Sequence, residues 1–279
     1  MLEQYYGKAK ELLVPKSECR VFPDIDDRKV WENLHPEQKE FYLREAEKHL
    51  DYEWPALPAV RYADYVKNGN RSRFTAMESK RRAVLLCLCV GECIENKGRF
   101  MEDILNGIWA ICEETSWVGP AHNSHYPPAT GRMLPEWERD EDIYVDHFAG
   151  DTGCLLAGLL TFLAPRLEAA MPQVARRLQY ELMRRIVLPF VNHDDFGWMG
   201  SDEKPDVNNW APWCAGNCLA VVAMVCENND LRAAALKNSC VLRTAICAAC
   251  RRTAAAMRAP GIGAWPATRC STAWTRPTK

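Results

Sequence analysis

Strand-like alternation of apolar and polar residues is missing from this sequence, and so is any continuous apolar run near the roughly 18 residues a membrane span requires. The first absence excludes a sheet-based fold, and the second argues against a membrane partner. The start, Met1-Leu-Glu-Gln-Tyr-Tyr, has neither the basic n-region nor the apolar h-region of a secretory signal. Acidic residues vanish after Asp230. Residues 231–279 hold nine basic side chains and no acid, whereas the preceding 230 residues carry a net charge of −11.

Metal-ligand spacing is also wanting. Cys214 and Cys218 stand four apart, yet no second pair or suitable histidine lies nearby, which favours core packing over zinc. The 13 cysteines are scattered through apolar helical segments, as at Cys87, Cys89, Cys93, Cys112 and Cys154, the usage of buried free thiols. The expectation is a soluble, reduced, cytoplasmic chain with no cofactor and no metal.

What is there is helical. A lead-in of residues 1–35 carries Pro15, Pro23 and an acidic patch at Asp24, Asp26 and Asp27. Helices are predicted over Pro36–Leu50, Met77–Asn96, Phe100–Glu114, Ile143–Leu163 and Ala170–Phe190, with Asn96-Lys-Gly98 as a stop and Pro189 as another. A further apolar helix follows Asn217, and Asn228-Asn-Asp230 caps the next. Arg176, Arg177, Arg184 and Arg185 read as a solvated basic face. Successive antiparallel pairs of this kind are the pattern of an all-α chain, an incomplete (α/α) toroid or barrel over residues 36–240.

The stretch Asp206 to Cys218 stands out. Asn208, Asn209, Trp210, Pro212 and Trp213 sit at the mouth of a helix. Amides that bond hydroxyls, beside flat rings that cover apolar sugar faces, suit a carbohydrate surface. The competing reading is an ordinary helix start, with Asn208 or Asn209 as cap and both tryptophans in the core. A second candidate is the loop after the predicted Phe100–Glu114 helix, which holds Trp117, His122, Asn123 and His125; histidine is a natural acid or base near neutral pH.

Asn208-Asn209-Trp210 followed by Pro212-Trp213, together with the Trp117-x-x-Pro-x-His122 loop, resembles heparinase II/III-like proteins, polysaccharide lyases with an (α/α) toroid. The likeness covers roughly residues 50 to 240. It implies β-elimination on a uronic-acid polysaccharide or oligosaccharide, with no nucleic acid and no membrane as partner. By that resemblance Asn209 neutralises the uronate carboxylate and His122 supplies an imidazole, since Trp210 stands where related lyases have a histidine. Asn208, Trp210, Trp213, Trp117, Asn123 and His125 would line the sugar site.

Residues 241–279 resemble a GC-rich coding region read out of frame. In a shifted frame the codons from Arg251 onward permit an acidic Glu-Gly-Pro turn followed by Tyr-Trp, the segment that carries the family's tyrosine acid/base. The expectation is therefore a basic, poorly ordered tail, and a chain that lacks this tyrosine and does not turn over substrate. On this reading Cys247-Ala-Ala-Cys250 is no redox pair. Two other functions stay open. One is a glycoside hydrolase with carboxylates among Asp146, Asp151, Asp194 and Asp195, about 5 to 9.5 Å apart. The other is a non-catalytic carbohydrate-binding scaffold.

Overall fold

The computed structural model describes residues 7–123, 133–135, 143–199 and 209–240, which form helices and connecting turns with no strand among them. Residues 241–279, expected to be a disordered tail, lie outside the described residues, as do Asn208 and His125. Short helices α1 (Arg28–Glu32), α3 (Ala59–Tyr62) and α4 (Asp64–Asn68) flank α2 (Pro36–Glu47). The body consists of α5 (Ser72–Glu95), α6 (Met101–Cys112), α7 (His147–Ala170), α8 (Pro172–Leu182), α9 (Leu188–Asn192) and α10 (Trp210–Val225), with residues 229–240 again helical.

Boundaries follow local chemistry. Pro36 opens α2 in its first turn, where its missing N–H costs nothing. α5 starts five residues earlier than predicted, because the Asn70 side chain accepts from the Arg73 backbone N–H (3.1 Å). It stops at Asn96, left-handed at φ 54, as its Asn-Lys-Gly signal predicts. α7 starts four residues later than predicted, since Asp146 caps it by accepting from Ala149 N (2.8 Å). It also runs past Pro165 to Ala170. The predicted single helix to Phe190 is instead interrupted by a wide π-turn, Met183–Val187. That turn lies just before Pro189, whose ring would clash with the carbonyl four residues back in a regular helix.

Three long helices run side by side in one direction. Arg82 bonds Thr152 (3.1 Å) and Arg166 bonds Asn96 (2.9 Å), so α5 and α7 are parallel. Gly150 faces Asn217 and Gly153 faces Val221, so α7 and α10 are parallel too. A side chain at Gly153 would come within 2.7 Å of Ile186, which is why a small residue stands at this crossing. α6 and α8 return against α5 and α7 and pack on each other. The core between them includes Val84, Leu88, Ile104, Ile108, Leu156, Leu163, Leu178 and Ile186.

α7 corrects one expectation. One 18-residue stretch of it is long and apolar enough to cross a membrane, although no continuous apolar run suggested it. Half of its apolar stretch is buried inside the molecule, where it is the central helix of the parallel layer.

The opposite ends of the layer are sealed by the lead-in. Lys16 donates to the carbonyls of Ala223 and Met224 at the end of α10, and Arg28 to those of Cys93 and Ile94 at the end of α5. Ile25 N bonds Phe162 O on α7. Cations thus meet helix C-termini, where the helix dipole is negative.

Charged residues also enter the interior. Arg81 and Arg82 both bond Glu114 (2.9 and 2.7 Å), while Arg185 bonds Glu181 (2.5 Å) and the Glu114 carbonyl (2.7 Å). Arg185 is therefore a buried strut between α8 and the α6 exit, and the expected solvated basic face does not include it.

Candidate functional site

The N-terminal ends of α7 and α10 meet around Asp146. This residue is fully buried and uses both oxygens: Oδ1 accepts from Ala149 N, while Oδ2 accepts from Gly119 N (3.0 Å) and from Nδ1 of His122 (2.7 Å). A carboxylate only accepts, so Nδ1 of His122 carries a hydrogen, and in the neutral imidazole Nε2 holds the lone pair. Gly119 is needed here, because a Cβ at that position would lie 2.7 Å from the Phe148 ring.

Aromatic rings pack around the imidazole. Trp210 meets His122 edge to face, centroids 4.5 Å apart, and meets His147 at 4.8 Å. His147 in turn lies 5.1 Å from Trp213 and 5.3 Å from His122. Asp151, one turn into α7, accepts from the Trp213 indole (2.7 Å) and the Asn217 amide (2.6 Å), and so fixes the start of α10 on α7.

Several sequence candidates converge and others do not. His122, Trp210 and Trp213 come together, with Trp213 46 % exposed and half-buried Trp210 inside the ring cluster. Asn209 stands exposed at the cap position of α10, yet its side chain makes no capping bond, so its amide is available. Asn123 is buried beside the loop turn at 1 % exposure and presents no open surface. Trp117 is a correction. At 1 % exposure it is a core residue, its indole donating to Ile111 O (3.0 Å) and its ring covered by Arg185 (4.9 Å), so it cannot line a sugar site.

Asp146 was considered in sequence only as one of four possible acids, and its role in holding His122 was missed. The readable signal was Asp146-His147 before an apolar helix, the pattern of an N-cap. His147, Asn217 and Arg71 were missed as site residues. Burial keeps the His147 imidazole below the usual histidine range; Asp146 opposes this, and His122 and Arg71 reinforce it. Its Nδ1 has no hydrogen-bond partner among the described residues.

Fixed charges of both signs meet at this end of the molecule. Two helix N-termini contribute about half a positive charge each, and the exposed Arg71, at the start of α5, has no ion-pair partner among the described residues. The negative groups nearby, Asp146 and Asp151, are both engaged in the bonds above. No group of three or more metal-binding side chains occurs among the described residues. Cys214 and Cys218 are buried thiols held above the usual range by burial, and neither is in a disulfide. No family model and no curated protein matches this chain.

Proposed function

We propose that the chain binds a uronic-acid oligosaccharide at the α7–α10 end, in the manner of a polysaccharide lyase of the heparinase II/III-like kind. The observation that carries the reading is the Asp146–His122 pair packed against Trp210, beside an uncommitted Asn209 amide and the Arg71 guanidinium. The parallel layer α5, α7 and α10, with α6 and α8 returning outside it, supports an incomplete (α/α) toroid as the scaffold.

In the proposed chemistry Asn209 and Arg71 hold the uronate carboxylate, and Nε2 of His122 faces the C5 proton. Loss of that proton creates an enolate-like charge on the carboxylate. The C4–O bond then breaks, C4 and C5 become a double bond, and the bridging oxygen must receive a proton. A donor on the developing charge is worth about 2.7 to 4 kcal/mol, and a positioned acid or base roughly a hundred- to ten-thousand-fold.

Among the described residues of this cluster, no tyrosine with an open hydroxyl supplies the proton for the leaving oxygen. Tyr62 is buried with its hydroxyl on Val118 O (3.0 Å), and burial raises the phenols of both Tyr62 and Tyr144. We therefore propose that the chain binds substrate without turning it over. The hydrolase alternative draws less support, because Asp146 and Asp151 are occupied and Asp195 pairs with His193 on the surface.

Titration calorimetry with a glucuronate-containing tetrasaccharide and its carboxyl-reduced counterpart tests this. The acidic sugar is expected to bind at least about tenfold tighter, a difference of ~1.4 kcal/mol, and Asn209→Ala or Arg71→Ala should erase the preference. Equal affinity for both sugars overturns the reading, and ultraviolet absorbance from an unsaturated product overturns the claim of no turnover.

A further inference from the structure

A cavity of about 490 Å³ lies beside this site, between α3, the first half of α5 and the exit of α6. It belongs to none of the groups that make up the acidic-sugar site. The volume falls within the ~300–1,000 Å³ typical of small-molecule sites. Trp54, Tyr62 and Phe74 line one part of it, with Tyr62 and Phe74 edge to face at 4.9 Å. Tyr62 spends its hydroxyl on Val118, so it offers the cavity only its ring.

The polar groups are few and unevenly committed. Arg81 lines the cavity, but its guanidinium is consumed by Glu114 and by the carbonyls of Pro55 and Ala110. Glu113 is exposed on the cavity wall and has no cationic partner among the described residues, and Thr115 beside it is exposed as well. The Trp54 indole N–H is buried without any hydrogen-bond partner among the described residues. An orphaned buried donor costs ~1–3 kcal/mol, and this one has no surface open to the cavity, to which Trp54 presents its ring.

Aromatic side chains, the exposed Thr115 hydroxyl, one uncompensated carboxylate acceptor and, among the described residues, no free cation define the ligand class. It must present an apolar face and hydroxyls, and it must not be an anion. We propose that this cavity is a binding site for a neutral pyranose. The site is separated from Asp146 by one strip of backbone: Val118 O takes the Tyr62 hydroxyl, and the next residue, Gly119, donates to Asp146. Aromatic rings cover the apolar side of such a sugar, and Glu113 and Thr115 meet its hydroxyls.

Saturation-transfer NMR on the full 279-residue chain tests the proposal with two probes, methyl β-glucopyranoside and methyl β-glucuronopyranoside. The neutral glycoside is expected to receive saturation at its ring protons. Ala59→Trp, placed at the exposed rim to fill the cavity, should weaken that binding at least about tenfold. Because a bulky residue risks the fold, Glu113→Lys serves as an independent variant on an exposed position; it should turn the preference toward the glucuronoside. His122→Ala should leave the neutral signal unchanged, which separates this cavity from the acidic-sugar site. No saturation of the neutral probe, an undiminished signal in both cavity variants, or loss of the signal in His122→Ala overturns the proposal.

Discussion

Glu78 sits one helical turn before Arg82 on α5, buried, with neither carboxyl oxygen hydrogen-bonded among the described residues. Its nearest cation, Arg82 at 3.3 Å, is already committed to Glu114. Burial pushes its carboxyl up to about 8, aided by Glu114 and Asp146 and opposed by Arg82. The folded protein therefore holds a proton here that the unfolded chain releases near the ordinary carboxylate value. Stability contributed by that proton is full at low pH, and it is lost as pH rises from about 4.5 toward 8. Glu78→Gln, which mimics the protonated group, should match the parent at pH 5 and exceed it by roughly 2 kcal/mol or more at pH 8. Urea denaturation at both values checks this, and a constant difference across the range would show that Glu78 is ionised in the fold.

At the scale of elements, one carboxylate ties α5 to the exit of α6. Glu114 compensates both Arg81 and Arg82, and its backbone carbonyl accepts from Arg185. Removing one partner of a buried ion group leaves uncompensated charge, at a typical cost of 3–5 kcal/mol. Glu114→Ala should lose about that much in chemical denaturation, whereas Glu45→Ala, whose pairs with Lys48 and Arg44 lie on the surface, should change stability by under about 1 kcal/mol. A surface-sized loss at Glu114 would mean that the arginines find solvent.

The elements also show how much could be read in advance. Helix existence was legible, since apolar spacing and the Asn96, Pro36 and Asn228 signals act locally. His122, Trp210 and Trp213 were legible because large rings and an imidazole at helix ends are unusual. What was not legible depends on partners distant in sequence. Asp146 finds His122 across 24 residues, and Trp117 disappears under Arg185. A loop tryptophan that will be roofed by an arginine from another helix looks the same in sequence as one that will face a ligand. Nor does sequence show that a wide turn, Met183–Val187, will carry the chain past Pro189.

At the scale of the whole molecule, the lead-in joins what the chain makes first to what it makes last among the described residues. Lys10 pairs with Asp230, Arg232 bonds Val14 O, and Lys16 holds the end of α10. These contacts span more than 200 residues, for example the 218 between Val14 and Arg232. The seats for Lys16 and Arg28 are the C-terminal carbonyls of α10 and α5, and closing the chain onto them costs loop entropy that contacts within a helix do not. On this ground the lead-in is expected to dock late in folding. Contacts that form after the rate-limiting barrier leave folding rates unchanged and govern unfolding. Lys16→Ala combined with Arg28→Ala should speed unfolding severalfold in stopped-flow experiments with little change in the refolding limb. The lead-in would then act as a latch, setting how long the folded molecule lasts rather than how fast it is made.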